Sequence, residues 1–302
     1  MKAIIWIKYG PPEVLKLQEV DKPTPKDNEI LLKIHATSVT MGDCEMRNLK
    51  LSPALAFFMR IYNGINKPKR ITILGQDVAG VVEAIGKNVR IFKVGDQIFG
   101  STGSKGGANA EYICLSENAM ISIKPETMSF EEAAAVPIGG NTALDILKKG
   151  NIKPGSKVLV YGASGSVGTY AVQLAKYWGA DVTGVSSSAN HELVKSLGAD
   201  RVIDYKTTDF TKGNETYDVI FDTVRKLSSL QCKRVLAEDG VFLSTSSSTE
   251  ESSENLTFLK ELIETGKLRA VIDKKYPLED IVDAHRYVDT GRKRGNVVIT
   301  VN

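Results

Sequence analysis

Val158-Leu159-Val160-Tyr161-Gly162-Ala163-Ser164-Gly165-Ser166-Val167-Gly168 decides the fold. An apolar strand runs into a glycine-rich turn and straight on into a helix. Val167, Ala171, Leu174, Ala175 and Trp178 follow at i, i+4, i+7, i+8 and i+11, which is one face of a 3.6-residue period. Read as G-x-G-x-x-G, the stretch has Ala163 in the first glycine place, then Gly165 and Gly168. Gly165 lets the backbone approach a pyrophosphate, and Gly168 lets helix and strand pack closely. The helix N-terminus offers N–H groups and a positive dipole end to phosphates. The strand–turn–helix–strand order separates this stretch from a plain glycine turn. It makes Gly162, Ala163, Ser164, Gly165, Ser166, Val167 and Gly168 candidates for dinucleotide binding.

Outward from this turn, strands and helices alternate. Strands are expected at 182–185, 201–204, 217–222 and 240–243, with a helix at 191–197. Such alternation specifies a parallel, doubly wound sheet with right-handed crossovers. Ser129 and Glu132 fit a capping box ahead of a short helix, and a second helix is expected over 141–149. Thr245 to Asn255 (TSSSTEESSEN) has no apolar residue and reads as loop or disorder, with a helix from Leu256. The first hundred or so residues are β-rich. Short apolar stretches at 2–7, 30–36, 78–85 and 97–99 are separated by turns such as Gly10-Pro11-Pro12, and 55–61 reads as a short helix. That spacing suggests a compact barrel or sandwich. The chain ends in an apolar strand, 297–301.

The end of the second strand of the α/β region bears on cofactor choice. An NAD site places Asp or Glu there to hold the ribose 2′-OH. This chain has Ser186-Ser187-Ser188-Ala189-Asn190, with no carboxylate to repel a 2′-phosphate and with hydroxyls that can donate to one. The first nearby cation is Lys195.

Composition narrows the class. The 302 residues carry 39 Lys plus Arg against 36 Asp plus Glu, a net charge of +3, which gives no reason to propose a nucleic-acid or membrane partner. No apolar run approaches the roughly 20 residues that span a bilayer. Three scattered cysteines, Cys44, Cys114 and Cys232, exclude a disulfide framework and a Cys-rich metal site. A soluble, reduced, cytoplasmic protein is the expectation.

Several further motifs carry a resemblance. They are Leu74 to Val82, Phe92 to Gly100, Asn141-Thr142-Ala143, Gly162 to Gly168, Leu197 to Asp200 and Arg294 to Val298. In this order, over almost the whole chain, they resemble the medium-chain dehydrogenase/reductase superfamily in its zinc-free quinone oxidoreductase (zeta-crystallin-like) branch. The resemblance implies a GroES-like barrel from residues 1–122 with 271–302, and a Rossmann domain inserted over 123–270. It implies NADP(H) and hydride transfer to quinones or α,β-unsaturated carbonyls. An enoyl-thioester reductase shares the scaffold, and a non-catalytic NADPH-binding or RNA-binding protein is the other class left open.

The same resemblance assigns candidate site residues. The places of two catalytic zinc ligands fall on Thr40 and Gln76, which replace neither thiolate nor imidazole, so no metal is expected. Relatives typically have Asn where Thr40 stands beside the nicotinamide, and Thr40 can donate one hydrogen bond. Asp43 matches a family Asp and also reads as a turn or helix cap. Tyr62 is weighed as a phenol donor against core packing. For the cofactor, the resemblance adds Thr142, Ser186, Ser187, Ser188, Asn190, Tyr205, Thr223 and Asn296 to the glycine turn. Relatives also extend the sheet beyond Leu243 with an edge strand that pairs across a two-fold axis. The Ser/Glu stretch lacks the apolar residues for that strand, so a monomer or a dimer without sheet-edge pairing is expected.

Overall fold

The structure is a computed structural model, and it describes residues 1–301. Asn302, the last residue of the expected first domain, lies outside the described residues. The chain begins with β1 (Lys2–Trp6), β2 (Leu15–Glu19) and β3 (Glu29–Val39). Helices α1 (Met41–Asn48) and α2 (Pro53–Asn63) follow, then β4 (Asp77–Ile85), β5 (Gln97–Ser101), β6 (Tyr112–Ser116), β7 (Ile121–Ile123) and α3 (Phe130–Ala134). After α4 (Pro137–Lys148) come β8 (Lys157–Tyr161), α5 (Ser166–Tyr177), β9 (Asp181–Ser186), α6 (His191–Ser196) and β10 (Arg201–Asp204). Next are β11 (Tyr217–Asp222), α7 (Ser229–Cys232), β12 (Leu236–Ser244) and α8 (Ser253–Glu264). The chain closes with β13 (Ile272–Pro277), α9 (Ile281–Asp289) and β14 (Asn296–Thr300).

Two compact units form: Met1–Ile138 together with the chain from Ile272 on, and Gly139–Val271. The expected boundary near 123 therefore differs from the observed one. The Ser129 capping box starts α3 as expected, with Ser129 Oγ accepting from Glu132 N, but α3 packs on β3 and β4. Residues 123–138 accordingly stay with the first unit.

In the first unit the main sheet runs β13-β14-β3-β4-β5-β7, with β6 also on β3. The final strand β14 lies against the end of β3, Val297 opposite Val39. Its core joins Ile4, Trp6, Leu32, Val78, Ile98 and Val297. In the second unit five parallel strands take the order β10-β9-β8-β11-β12. Val158, Leu159, Val160, Ile220 and Phe221 have no exposed surface, as strands covered on both faces require.

The Ser/Glu stretch forms no strand, and β12 is the last strand of that sheet among the described residues. Of the two alternatives, loop or disorder, residues 245–252 form an ordered loop. Asn141 Nδ2 donates to Glu250 O at 2.8 Å, and Lys149 Nζ donates to Ser248 O at 3.2 Å, so the stretch is tied to α4. The helix starts at Ser253 rather than Leu256, because Ser252 Oγ caps it by accepting from Asn255 N.

One polar cluster fastens the two sequence-distant parts of the first unit. Arg47, fully buried on α1, donates from Nη1 to His285 Nδ1 at 2.8 Å and from Nη2 to Asp289 Oδ2 at 2.5 Å, both on α9. Its Nε donates to Gly10 O at 3.1 Å. A guanidinium only donates, so His285 is neutral at Nδ1 and carries its proton on Nε2. Burial, with the Arg47 charge second, lowers the His285 pKa from its usual 6.5 to about 3. The unfolded chain therefore binds this proton more readily than the folded one. Stability is complete above about pH 6.5 and falls as pH drops toward 3, by up to roughly 1.4 kcal/mol per pH unit from this group. His285→Asn keeps an acceptor for Arg47 but cannot titrate. Urea unfolding between pH 6.5 and 4.5 is expected to show a shallower acid loss in H285N than in the parent chain.

Candidate functional site

The glycine turn forms the candidate cofactor cradle of the second unit. Gly162 N and Ala163 N both donate to Val185 O, at 3.0 and 3.1 Å, which ties the turn to the neighbouring strand β9. Thr223 Oγ1, just past β11, donates toward Tyr161 O (2.9 Å) and Gly162 O (3.2 Å) from the other side. The three glycines then differ in what they do. Gly162 has φ +82°, and a Cβ there would lie 2.6 Å from Thr223 Oγ1. At Gly168 a Cβ would lie 2.1 Å from Gly162 O, inside the helix–strand contact. Gly165 has an ordinary φ of −81°, and the nearest atom to its Cβ position is Gly162 O at 3.4 Å. The fold therefore needs hydrogen at 162 and 168, whereas 165 is open toward a ligand. Gly165 is also the N-cap of α5 with no side-chain cap, and the first helical bond is Thr169 N to Gly165 O. An anion placed there meets the N–H groups of the first turn.

Of the remaining candidates of this unit, Asn190 is bonded to that turn. Ser186 ends β9, buried, and Ser188 and Asn190 belong to the turn that leads into α6. Asn190 Nδ2 donates to Ser164 Oγ at 3.0 Å, which connects the second strand end to the glycine turn. Tyr205 is about half exposed beyond β10. Thr142 is half-buried on α4.

Sequence reasoning missed two carboxylates here. Asp204 sits opposite Ser186 and accepts from Ser188 N (3.2 Å) and Lys206 N (2.9 Å). The Lys206 N–H is the main cause of its lowered pKa. Asp222, fully buried, accepts from Val224 N at 3.0 Å and from Lys226 N and Leu227 N at 2.7 Å. It folds the loop that carries Thr223. An Asp followed two residues on by a turn is an Asx signal that identifies such a residue in sequence.

In the first unit, Thr40 and Asn296 stand at the same end of the sheet, since β14 leaves Asn296 one step beyond the Val39–Val297 pair. Thr40 caps α1. Its Oγ1 accepts from Asp43 N at 3.1 Å and donates to Asp43 Oδ2 at 2.7 Å, while Thr40 N donates to the same oxygen at 2.8 Å. Asp43 is thus the helix cap partner, and its Oδ1 also accepts from Gly75 N at 3.1 Å. Burial pushes the Asp43 pKa up, against these hydrogen bonds. The Thr40 hydroxyl proton is already engaged by Asp43. Gln76 Nε2 donates to Gly103 O at 3.3 Å. Asp43, Met46, Leu51, Ile71, Leu74 and Gln76 line a cavity of about 200 Å³. Lys293, unnoticed in the sequence, precedes Asn296 and donates to Gly295 O at 2.6 Å; burial lowers its pKa to about 8, so near neutrality it can exchange a proton.

Of the two alternatives for Tyr62, core packing is corrected by its exposure. It is 52% exposed on α2, with the Arg70 guanidinium 4.8 Å from its ring centre. His35 stacks on Phe130 at 4.5 Å. Cys44 Sγ lies 3.4 Å from His285 Nδ1, but Arg47 faces both, and burial pushes the thiol pKa far up. Among the described residues no three His, Cys, Asp or Glu side chains are placed to hold a metal ion. A catalytic zinc needs three such ligands, and this donor set does not fit one.

Comparison with known proteins accords with this architecture. Residues 26–125 match the alcohol dehydrogenase GroES-like domain, and residues 166–270 match the zinc-binding dehydrogenase family. The chain is 35% identical to a 2-methylene-furan-3-one reductase of Solanum lycopersicum over 320 residues, 99% of this chain and 79% of that protein. The quinone oxidoreductase of Coxiella burnetii superposes with a TM-score of 0.86 at 30% identity, covering 100% of this chain and 99% of the other. The Escherichia coli quinone oxidoreductase, solved with NADPH, superposes with a TM-score of 0.83 at 26% identity over 99% of this chain and 100% of the other. The chain therefore belongs to the medium-chain dehydrogenase/reductase superfamily, a family of oxidoreductases with a GroES-like and a Rossmann-like domain. Its relatives include quinone oxidoreductases and an enone reductase.

The three glycines give a direct test of the cradle. Gly165→Val is expected to weaken NADPH binding at least about tenfold, because the side chain fills the approach a pyrophosphate needs. Its melting temperature should stay near that of the parent. Gly168→Ala should instead lower the melting temperature. Isothermal titration with NADPH and thermal unfolding of both variants make the comparison.

Proposed function

We propose that this protein is an NADPH-dependent reductase of quinones or α,β-unsaturated carbonyls that works without zinc. The observation that carries the reading is the open Gly165 position at an uncapped helix N-terminus, next to a strand end made of serines. Its relatives, a 2-methylene-furan-3-one reductase and quinone oxidoreductases, support the substrate class. The three cysteines are unpaired, which supports a reduced, cytoplasmic setting.

When bound, the nicotinamide supplies a hydride. Everything else falls to this chain. Gly162 to Gly168 would bind the pyrophosphate, with Thr142 and Thr223 as further cofactor contacts. Ser187, Ser188, Asn190 and Tyr205 would take the 2′-phosphate, while Ser186 is buried and its hydroxyl donates to Ser187 O. Asp204 is nearby and stays ionised, its oxygens accepting the Ser188 and Lys206 N–H groups, so the serine hydroxyls would have to outweigh its charge for a 2′-phosphate to bind. The acceptor carbon of an enone or quinone is already electrophilic, so the protein mainly positions the reactants. The cavity beside Gln76 takes part of the substrate. A proton for the oxygen would come from water.

Two outcomes follow. NADPH should bind about tenfold or more tightly than NADH, from one or two charge-assisted hydrogen bonds worth ~1.5–3 kcal/mol each. Ser187→Asp should move the preference toward NADH; Ser186 is unsuitable because it is buried opposite Asp204. Steady-state reduction of a quinone and an alkenal panel, before and after exhaustive chelation, tests the whole reading. Activity should survive chelation, and loss restored by zinc would overturn metal independence.

Thr40→Val separates capping from chemistry. It removes the cap hydroxyl and should cost about 1 kcal/mol of stability. Because the hydroxyl proton is engaged by Asp43, kcat should stay within about tenfold of the parent. A loss of about a hundredfold or more would make Thr40 the proton donor.

A further inference from the structure

The near-zero net charge conceals a one-sided surface on the first unit. From Met46 to Gln76 the chain has no Asp or Glu and six cations, of which Lys50, Arg60, Lys67, Lys69 and Arg70 are exposed. Helix α2 lies inside this run, and it is mounted with its apolar side outward. At 100° per residue, Phe57, Ile61, Phe58, Tyr62 and Leu55 cover a continuous arc of about 160°. Phe57, Phe58 and Ile61 are 62, 65 and 61% exposed, and Ile65 just beyond the helix is 67% exposed. The opposite side carries Ala56, Met59 and the fully buried Asn63.

The mounting is firm. Asn63 Oδ1 accepts from Arg70 N (3.1 Å) and Ile71 N (2.7 Å), and its Nδ2 donates to Ile71 O (3.3 Å). Tyr9 Oη donates to Gly64 O at 2.7 Å. The cations flank the apolar arc. Arg60 donates to Ile65 O at 2.7 Å, and Arg70 stands over the Tyr62 ring. Lys67 and Lys69 pack beside Gly64 at the helix end. No helix of the described residues is long and apolar enough to cross a membrane. A rigid helix with aromatic and aliphatic side chains outward, ringed by cations and free of carboxylates, has the pattern of an interfacial element. Such a helix sinks its apolar face to the headgroup boundary while its cations meet anionic lipid.

We propose that α2 and the loop from Gly64 to Arg70 dock this protein on an anionic lipid bilayer. Phe57, Phe58, Ile61 and Ile65 enter the interface, and Arg60, Lys67, Lys69 and Arg70 bind the headgroups. The absence of any acid between Met46 and Gln76 selects lipid charge as the occupant, because an ordinary protein surface would present cations as well. Docking brings the molecule to the phase in which apolar quinones dissolve, but it does not depend on the reductase reading.

The test is co-sedimentation of the full chain with vesicles of phosphatidylcholine alone or mixed with phosphatidylglycerol. The expected result is binding to the mixed vesicles, at least about tenfold weaker on phosphatidylcholine alone. It should also be lost at about 1 M salt, where charges are screened beyond about 3 Å. Phe57→Ser combined with Phe58→Ser should weaken binding at least about tenfold without lowering the melting temperature. Lys67→Glu with Lys69→Glu should remove the preference for anionic lipid. Several results would overturn the proposal: no sedimentation with anionic vesicles, or equal binding by the phenylalanine double variant. A concentration-dependent dimer dissolved by that variant would assign the face to a second copy. A raised KM for a water-soluble quinone in lipid-free buffer, without vesicle binding, would assign it to the substrate site. Vesicle binding by a protein that reduces none of the panel would sink the reductase reading and leave this inference standing.

Discussion

The contact between Gly168 and the Gly162 carbonyl governs the second unit. With only hydrogen at position 168, α5 lies directly against the turn that leaves β8. Its N-terminus is thereby aimed past the strand end, where the first-turn N–H groups and the dipole act together on an anion. Val185 O and the Thr223 hydroxyl hold the two shoulders of the turn. Two other candidates of that unit are held by reference to it: Asn190 through Ser164, and Thr223 through its own hydroxyl and the loop folded on Asp222.

In the first unit a corner of side chains is fixed by hydrogen bonds. Thr40 caps a helix there, and Gln76 is bonded to a backbone carbonyl. The carboxylate of Asp43 joins Thr40 at the end of β3, α1 and the Gly75 turn through three hydrogen bonds. A hydrogen-bonded corner therefore stands at these places, and it fixes the wall of the adjacent cavity. The charge balance of the chain as a whole gave no hint of the cationic, acid-free run on the same unit, because totals average over surfaces.

Much of the architecture was legible because buried parallel strands and amphipathic helices write their periods plainly. The strands at 157–161, 182–185 and 217–222 and the helix after the glycine turn are of this kind. Elements with little apolar surface were not legible. Strand β2 exposes four of its five residues, and β13 (IDKKYP) is an edge strand with alternation too weak to read. Site residues that act locally, such as the glycines and the Ser129 box, were visible in sequence. Those acting across long separations were not: Asp43 reaches Gly75, Asn190 reaches Ser164, and Arg47 reaches His285 only after folding. The Ser/Glu stretch was legible as a strandless loop, but not its attachment to α4, which uses backbone carbonyls that composition does not describe.

The position of β14 has a consequence for how the molecule is made. Strand β14 is an interior one, inserted between β13 and the end of β3, and α9 just before it brings His285 and Asp289 to Arg47. During translation the chain emerges N-terminus first, and domains fold as they become complete. The inserted second unit is whole once Val271 has left the ribosome. The first unit is not, because the Ala36–Val39 segment of β3 has no partner on that side until β14 follows, and the Arg47 guanidinium has no acidic partner. For that interval the nascent chain carries a finished domain in the middle of an unfinished one, with a bare apolar strand edge of the kind that chaperones bind. Loss of the final strand would therefore be felt first at the barrel, while the dinucleotide-type unit could still fold around its own sheet.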